Sequence, residues 1–416
     1  MEAPGGIPAA GPQVDPNAGP QELPLLPIML EDWLASNGGL TRLKLKLDNA
    51  TANQIASEVK QQTGVEIVPD DSMRGAAQNV PHFSVEAAGQ PFWEAVSQWN
   101  RVAKPDALRL SLWLGEWNSP GSLGVTWQPV SAGRALNLGP CRLMLSSVQL
   151  SHSLSRSLDP AADPRLNPKA EGPEAQDSLS LTGSLRIDPR LAPRIEGLLW
   201  EIREARDDTG QALKPDDSYD SPSLDGNPVP DANFSLSAPV GAARRLSLLR
   251  GVMRLAVLTK SEPWEIPLAV DPTATLKAQR SFKSDEAQVS VRFDGITAHP
   301  NGWSALFHLE RKEAGPRRVF KSQGENGQSA SLGEDNDTTR AIRLLASDGH
   351  ELLHYSSNSR SGEENGARTL DIEVNIERNG EQKDLEKTTP AKIIIDIPLE
   401  WREVQIPFEF KDLPLP

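Results

Sequence analysis

Cysteine is almost missing from this chain: Cys141 is the only one among 416 residues. No intramolecular disulfide and no cysteine-built zinc site can form. Basic residues are also in deficit, with 43 lysines and arginines against 57 aspartates and glutamates. The net charge of −14 repels a phosphate backbone, and no locally basic stretch offsets it, which excludes nucleic acid as a partner. Long apolar runs are absent as well. The stretch 23–30 is broken by Pro24 and Pro27 and is too short to span a bilayer, so no membrane span is expected. No lysine or arginine precedes Arg42, so the basic start of a secretory signal is not in this chain.

What is present fits a soluble, multidomain protein. Hydrophobic residues make up 38% and charged residues 24%, which places the chain outside the membrane and disordered classes. Its length predicts two to four domains. Residues 1–39 open with a Pro-, Gly- and Ala-rich run over 1–20, which reads as a flexible tether of the kind left behind in an exported protein. In Cys141-Arg-Leu-Met-Leu145, alternation puts Cys141, Leu143 and Leu145 on the inner face of a strand, so the thiol reads as structural.

Residues 40–104 read as a β-α-β-β-α module. Leu-Lys-Leu-Lys-Leu at 43–47 alternates as a half-buried strand. Asp48 or Asn49 is expected to cap a helix running to Gln62, with Ile55 and Val59 at helical spacing and Gly64 marking its end. Strands follow at 65–68 and 82–87, and Pro91 starts a second helix with Phe92, Ala95, Val96 and Trp99 on one stripe. The wording of residues 49–68, ending Gln-Thr-Gly-Val-Glu-Ile-Val, and the later Phe83-Ser-Val-Glu-Ala and Pro91-Phe-Trp-Glu-Ala-Val resemble the short N-terminal domain of secretins and TonB-dependent receptors. That resemblance implies a periplasmic module that contacts other proteins and carries no catalytic residue.

Beyond residue 105 the pattern turns to short alternating runs split by Gly, Pro, Asn and Asp, the signature of strands. Runs at 108–114, 142–150, 179–187, 198–205, 246–258 and 264–270 form one set. Those at 287–293, 304–310, 342–346, 350–355, 370–377, 393–397 and 404–410 form another. The expected fold class is mainly β with a small α+β N-terminal domain: two antiparallel β-sandwiches over residues 105–272 and 273–416. Both sets close on an echo, Trp264-Glu-Ile-Pro-Leu-Ala-Val and Val404-Gln-Ile-Pro-Phe-Glu-Phe, where Ile-Pro suits the start of an edge strand. Polar insertions at 156–177, 207–233 and 321–339 read as surface loops. The wording at 179–191, 204–210 and 404–416 resembles a group of envelope-directed proteins of planctomycete-type bacteria, which supplies no activity.

Two motifs carry chemistry on paper. His350-Glu351-Leu-Leu-His354 matches the zinc-peptidase pattern, where one helical face brings both imidazoles to the metal and the glutamate activates its water. Asp348-Gly349 just before it is a two-residue hairpin signal that would pair 342–347 with 350–356, so His350 and His354 would lie on a strand with Glu351 pointing away. A third ligand is doubtful: Ser357 and Arg360 stand where the extended motif wants glycine and a ligand, and Glu373 falls on a strand's solvent face. Asp208-Thr209-Gly210 matches the core of aspartic-protease loops, but no second copy completes a dyad and the turn-forming residues favour a plain turn. His82, His152, His299 and His308 show no ligand spacing. Trp113, Trp117 and Trp127 could stack on sugars if exposed, although Trp113 sits in an apolar run that favours a core role.

The expectation is therefore a non-enzymatic, exported interaction or structural protein of the bacterial envelope, periplasmic or extracellular, with no catalytic residue, cofactor or metal. Envelope proteins or a second copy are its expected partners. A zinc peptidase built on His350, Glu351 and His354 and a glycan-binding sandwich are the alternatives.

Overall fold

Trp33, in the entry segment between the Pro-rich start and the module at residue 40, is completely buried. The computed structural model describes residues 22–69, 82–102, 110–113, 122–127, 134–155, 174–215, 230–239, 241, 243–268, 277–299, 302–321, 329–330, 342–346, 351–352, 356–364, 366–377 and 390–416. Strand β1 (Glu22–Pro24) and the short helix α1 (Leu30–Ser36) come first. The Trp33 indole packs among core residues of the sheets described below, and its Nε1 donates to the Leu258 carbonyl at 3.4 Å. The expected tether over 1–20 lies outside the described residues; in the entry segment that follows, one large aromatic on a short helix buries enough apolar surface to hold the chain against the core.

The β-α-β-β-α order expected over 40–104 is present as β2 (Arg42–Thr51), α2 (Ala52–Thr63), β3 (Glu66–Pro69), β4 (His82–Pro91) and α3 (Phe92–Val102). Leu43 and Leu45 of β2 point into a core with Ile55, Val59, Val85, Phe92 and Val96. The helix cap is Thr51 rather than Asp48 or Asn49, because β2 runs on to Thr51. There the threonine hydroxyl accepts from the Gln54 N–H at 3.3 Å, and the Gln54 side chain accepts from the Thr51 N–H at 2.8 Å. Gly64, at φ 75°, ends the helix as expected. β2 pairs antiparallel with β4, whereas β3 finds its partner outside the expected module. Beyond residue 104 lie β5 (Leu110–Trp113) and β6 (Ser122–Trp127), and β3 runs parallel to β6. A four-residue strand needs a neighbour for its ladder, and that need carries the module's sheet past the expected boundary.

The remaining described elements are strands, apart from one 3₁₀ turn at Ala192–Arg194. β7 (Arg134–Leu138), β8 (Cys141–Ser155), β9 (Glu174–Ile187), β10 (Ile195–Asp207), β11 (Asp231–Ser237) and β12 (Arg245–Pro267) are followed by β13 (Ala278–Lys283), β14 (Ala287–His299), β15 (Gly302–Glu313), β16 (Arg317–Lys321) and β17 (Ser329–Ala330). β18 (Ile342–Ala346), β19 (Glu351–Leu352), β20 (Ser356–Glu364), β21 (Ala367–Glu377) and β22 (Pro390–Pro414) complete it. The larger sheets run β11-β9-β8-β7, β10-β12-β22-β18-β19 and β13-β14-β15-β21-β20. The chain is mainly β, and none of its sheets is closed. Of the expected insertions, 174–177 belong to β9, Asp207 ends β10, 208–215 form a turn and return described below, Pro230 leads into β11, which takes 231–233, Lys321 belongs to β16 and 329–330 to β17; the remainder lies outside the described residues. No described helix is long and apolar enough to cross a membrane.

β12 and β22 are each unbroken where the sequence pattern suggests two strands. They are 23 and 25 residues long and pair from Arg245↔Pro414 to Pro267↔Lys392. Polar Thr259-Lys-Ser-Glu-Pro263 looks like a turn, but shifts of register at Lys260 absorb the irregularity without ending the ladder. One half of each strand serves one core and the other half a second. Met253, Leu255, Val404, Ile406 and Phe408 meet Leu143, Leu181 and Phe234 of the four-stranded sheet. Trp264, Ile266, Ile393, Ile395 and Ile397 meet Val291, Phe307 and Ile372 of the third sheet. The division at 272/273 is corrected accordingly: residues 404–413 return to the first core.

The Ile-Pro echo does not mark strand starts either. Pro267 ends β12, and Pro407 lies inside β22 opposite Val252. The Glu403 N–H and C=O bond Leu26 and Ile28 on the edge away from β12, so two-residue periodicity puts Pro407 on that same outer edge. Its missing N–H removes a donor from an edge that lacks a neighbouring strand among the described residues.

Candidate functional site

Glu351 lies in a two-residue strand and pairs antiparallel with Leu345, while Leu352 faces Leu344. The pairing matches the hairpin reading, but the register is one residue off: a two-residue Asp348-Gly349 loop would set Leu345 opposite Leu352. His350 and His354 lie outside the described residues. Strand backbone at Glu351 removes the helical face on which the peptidase mechanism depends. Glu373 is half-buried on β21 and accepts from the Ser304 hydroxyl at 2.8 Å. Among the described residues, no three His, Cys, Asp or Glu side chains converge as a metal site.

Asp208-Thr209-Gly210 forms a turn organised by its neighbour Asp207. The buried Asp207 Oδ1 accepts from the Thr209 N–H at 2.9 Å, the Thr209 hydroxyl at 2.7 Å and the Gln211 N–H at 3.0 Å. Asp208 is exposed and accepts from the Arg244 N–H. Burial by itself raises the Asp207 carboxyl, but these hydrogen bonds, with one from Gly210, outweigh it and hold the group below its ordinary value. The arrangement terminates β10 and presents no paired carboxylate. Of the tryptophans, Trp113 and Trp127 lie on β5 and β6, and Trp117 lies outside the described residues. His308 Nδ1 is 2.6 Å from Asp371 Oδ1 across β15 and β21, a cross-strand pair on the sheet's outer face.

The densest polar arrangement joins the N-terminal module to the four-stranded sheet. Ile187, at the end of β9, offers its carbonyl to Trp93 Nε1 at 2.7 Å. The next residue, Asp188, accepts from the Thr41 N–H at 2.7 Å and the Thr41 hydroxyl at 2.6 Å, and Arg190 Nε donates to that same hydroxyl oxygen at 2.9 Å. Thr41, Trp93 and Asp188 are all buried. Asp188 also accepts from the Arg190 N–H at 3.1 Å, so one carboxylate fixes its own turn and the start of β2 together.

Beside this latch, Arg142 and Arg186 stand directly opposite each other on β8 and β9. Cys141, Leu143, Leu185 and Ile187 face the core, so alternation turns both arginines to the outer face, beneath the module. They are 9% and 8% exposed. Arg142 Nη1 donates to Asn137 Oδ1 at 3.0 Å, and Asn137 Nδ2 donates to Glu94 of α3 at 3.0 Å. The Arg186 guanidinium lies 5.4 Å from the Trp93 ring centroid. Burial, and then the nearby Arg142 charge, lowers its pKa to about 10. The Cys141 thiol, buried close to Asp188, is pushed up from its ordinary value, as befits a structural thiol.

No protein-family model, curated protein or solved structure matches this chain. The junction therefore stands on its own geometry. Sequence reasoning placed Phe92, Ala95 and Val96 on the helix stripe and missed Trp93, whose position next to Phe92 turns it toward β9. Thr41 and Asp188 lie 147 residues apart, a separation that leaves no local signal. Ile-Asp-Pro-Arg at 187–190, an aspartate before a proline turn, is the one cue that could have singled out the carboxylate.

Proposed function

We propose that the chain is a non-enzymatic interaction or structural protein of the cell envelope: two β-sandwiches fused into one platform, with the N-terminal module mounted on the first. The carrying observation is that β12 and β22 run unbroken through both cores. A hinge would need a connection free to change its backbone angles, and here a continuous two-stranded ladder takes its place. A polar cluster braces the junction of the cores. Arg311 donates to the carbonyls of Pro398 and Leu399 at 3.2 and 3.1 Å and lies over the Trp401 ring, while Glu286 accepts from Arg402 at 2.9 Å.

The module's outward face, bearing Lys44, Lys46 and Glu86, is the proposed contact surface for an envelope protein or a second copy. The resemblance to secretin and TonB-receptor N-terminal domains supports this reading. Strand addition at β2 is disfavoured at one point, because Gln62 occupies both the N–H and C=O of Lys44 at 3.0 and 2.7 Å. A photo-crosslinker placed at Lys44 or Lys46 of the exported chain should give discrete envelope or homodimer adducts, and one at Arg280 on the far sheet should not. Adducts from both positions alike, or from neither, would remove the module from the role. Chelator should leave the melting temperature unchanged, and stoichiometric zinc in purified protein would restore the peptidase alternative.

A further inference from the structure

Residues 23–30 read Leu-Pro-Leu-Leu-Pro-Ile-Met-Leu, eight apolar residues in a row, and much of that run lies on the surface. From residue 24 to residue 29 burial repeats every three residues. Leu25, 6% exposed, joins Phe320 and Trp401, and the half-buried Ile28 packs on the first core. Pro24 and Pro27 are exposed, and so are Leu26 at 40% and Met29 at 66%, two of the three large apolar side chains that stand exposed among the described residues. Three residues per turn is the period of a polyproline II helix, so one edge is packed and two face outward. Local chemistry dictates the same backbone. Proline fixes φ at about −65° at positions 24 and 27 and steers Leu23 and Leu26 away from the helical region. Met29 itself has φ −69° and ψ 141°. The strip is held in place along its inner side. Arg318 donates to the Pro24 carbonyl at 3.0 Å, the Glu403 N–H donates to the Leu26 carbonyl at 2.9 Å, and the Ile28 N–H donates to the Glu403 carbonyl at 2.9 Å.

We propose that residues 24–29 are a docking strip for a partner protein whose groove is lined by aromatic side chains, with a lysine or arginine at the end of the groove nearest α1. The proline edge offers flat rings for tryptophan or tyrosine to stack on, and the Leu26–Met29 edge fills an apolar pocket between them. Immediately after this uncharged run come Glu31 and Asp32, both exposed, which a basic residue of the partner complements. A free proline-rich peptide loses conformational freedom when it docks. This strip is already extended and pinned by three hydrogen bonds and by the buried Trp33 that follows, so little ordering remains for the partner to impose. The strip belongs to the segment before the N-terminal module, and the inference does not rest on the role given to the module's face.

The test places a photo-crosslinker at Leu26 of the full chain in its own cells. One discrete adduct is expected, with the joined residue beside a tryptophan or tyrosine of the partner. Replacing both prolines, Pro24→Ala with Pro27→Ala, should weaken that adduct at least ten-fold and leave the melting temperature within a few degrees of wild type, because Leu25, Ile28 and Trp33 still hold the segment. A synthetic peptide of residues 22–32 should compete with it. Adducts that survive loss of the prolines, that resist the peptide, that join a site without aromatic side chains or that join a second copy of this chain would overturn the proposal, and so would the absence of any adduct. Should the proline variant fail to fold, Met29→Asp decides: the side chain is exposed and caps α1, where aspartate is favourable, so the fold is kept while a charge enters the apolar pocket. An undiminished adduct in that variant refutes the strip. Adducts from Lys44 or Lys46 without one from Leu26 would refute the strip and spare the module's role, and the reverse pattern would do the opposite.

Discussion

Arg254 and Glu403 form a two-pronged ion pair, at 2.9 and 2.7 Å, on the reverse face of the sheet that β12 and β22 build. Both side chains are 6% exposed. Phe320 of β16 lies over the guanidinium, Gln405 donates a further hydrogen bond to Glu403, and Leu25, Leu199, Ala256, Leu258 and Trp401 form an apolar patch with Phe320. The β1-β16-β17 sheet thus covers a face that two long strands would otherwise leave open. Arg254 faces Gln405 and Glu403 faces Ala256 across the ladder, so the two charges are diagonal neighbours, and their burial makes them costly to separate one at a time.

Breaking that pair from one side should be costly. Arg254→Leu or Glu403→Leu alone strands a buried charge and should lose about 3–5 kcal/mol, whereas the double replacement should recover most of the loss. Urea unfolding of the two single variants and the double variant reads the cycle. Single losses under about 1 kcal/mol would mean that the pair behaves as if solvated.

Gly197 of β10 leaves room for the same cover. A Cβ there would stand 2.8 and 2.9 Å from the Phe320 ring and 3.2 Å from Ala256. Gly197→Ala should therefore cost about 1–3 kcal/mol by overpacking, and a second change, Phe320→Leu, should return part of it. Thermal melts of the three variants check this, and additive losses would show that the ring is not the obstacle.

Much of the strand map was legible because alternation against a single buried face leaves its mark in the residues themselves. Leu43 and Leu45, Ile342 and Leu344, and Ile372 and Val374 all point where period-two reading puts them. What stayed hidden was set by distant partners. Residues 259–263 are polar and end in proline, and only the continuous ladder of β22 makes them strand. Trp33 sits in an entry segment with no periodicity to mark it, and its burial is decided by a core made of residues beyond 130. The junction depends on Thr41 and Trp93 meeting Asp188 and Ile187, contacts across more than 90 residues. The HELLH match and the Asp-Thr-Gly match, both conspicuous in the sequence, contribute strand or turn backbone where they are described.

The turn at Asp207 should show in acid. Its carboxyl is held below the ordinary value in the folded chain, so its contribution is complete above the usual carboxylate pKa of about 4 and is lost as pH falls through the lowered folded value. The stability gap between wild type and Asp207→Asn should be full near neutrality and shrink on acidification. Denaturant midpoints measured at intervals from pH 7 to pH 3 would show it. A gap that stays constant with pH would mean that the carboxylate charge does not matter to the turn.

Trp33→Ala should act as a core deletion, costing about 3–5 kcal/mol, and removal of residues up to Ser36 should do at least as much damage. Unfolding by intrinsic fluorescence and by circular dichroism should shift together. A variant that melts like the wild type would show that the indole does not hold this segment to the core.

Thr41→Val isolates the latch without touching a core. The hydroxyl is lost while the Thr41 and Arg190 N–H groups still reach Asp188, so Arg190 Nε loses its acceptor and one carboxylate oxygen loses a donor. The expected loss is about 1–3 kcal/mol of docking free energy, and it falls on the contact between module and platform rather than on either core. Hydrogen exchange separates the cases. Amides of α3 and of residues 187–191 should exchange faster by roughly ten-fold or more, a factor of ten corresponding to about 1.4 kcal/mol, while those of β12 and β22 keep their protection. Equal acceleration in β12 and β22 would show that module and platform open as one cooperative unit. In that event, a module mounted separately on a rigid frame would no longer describe how this protein meets its partners.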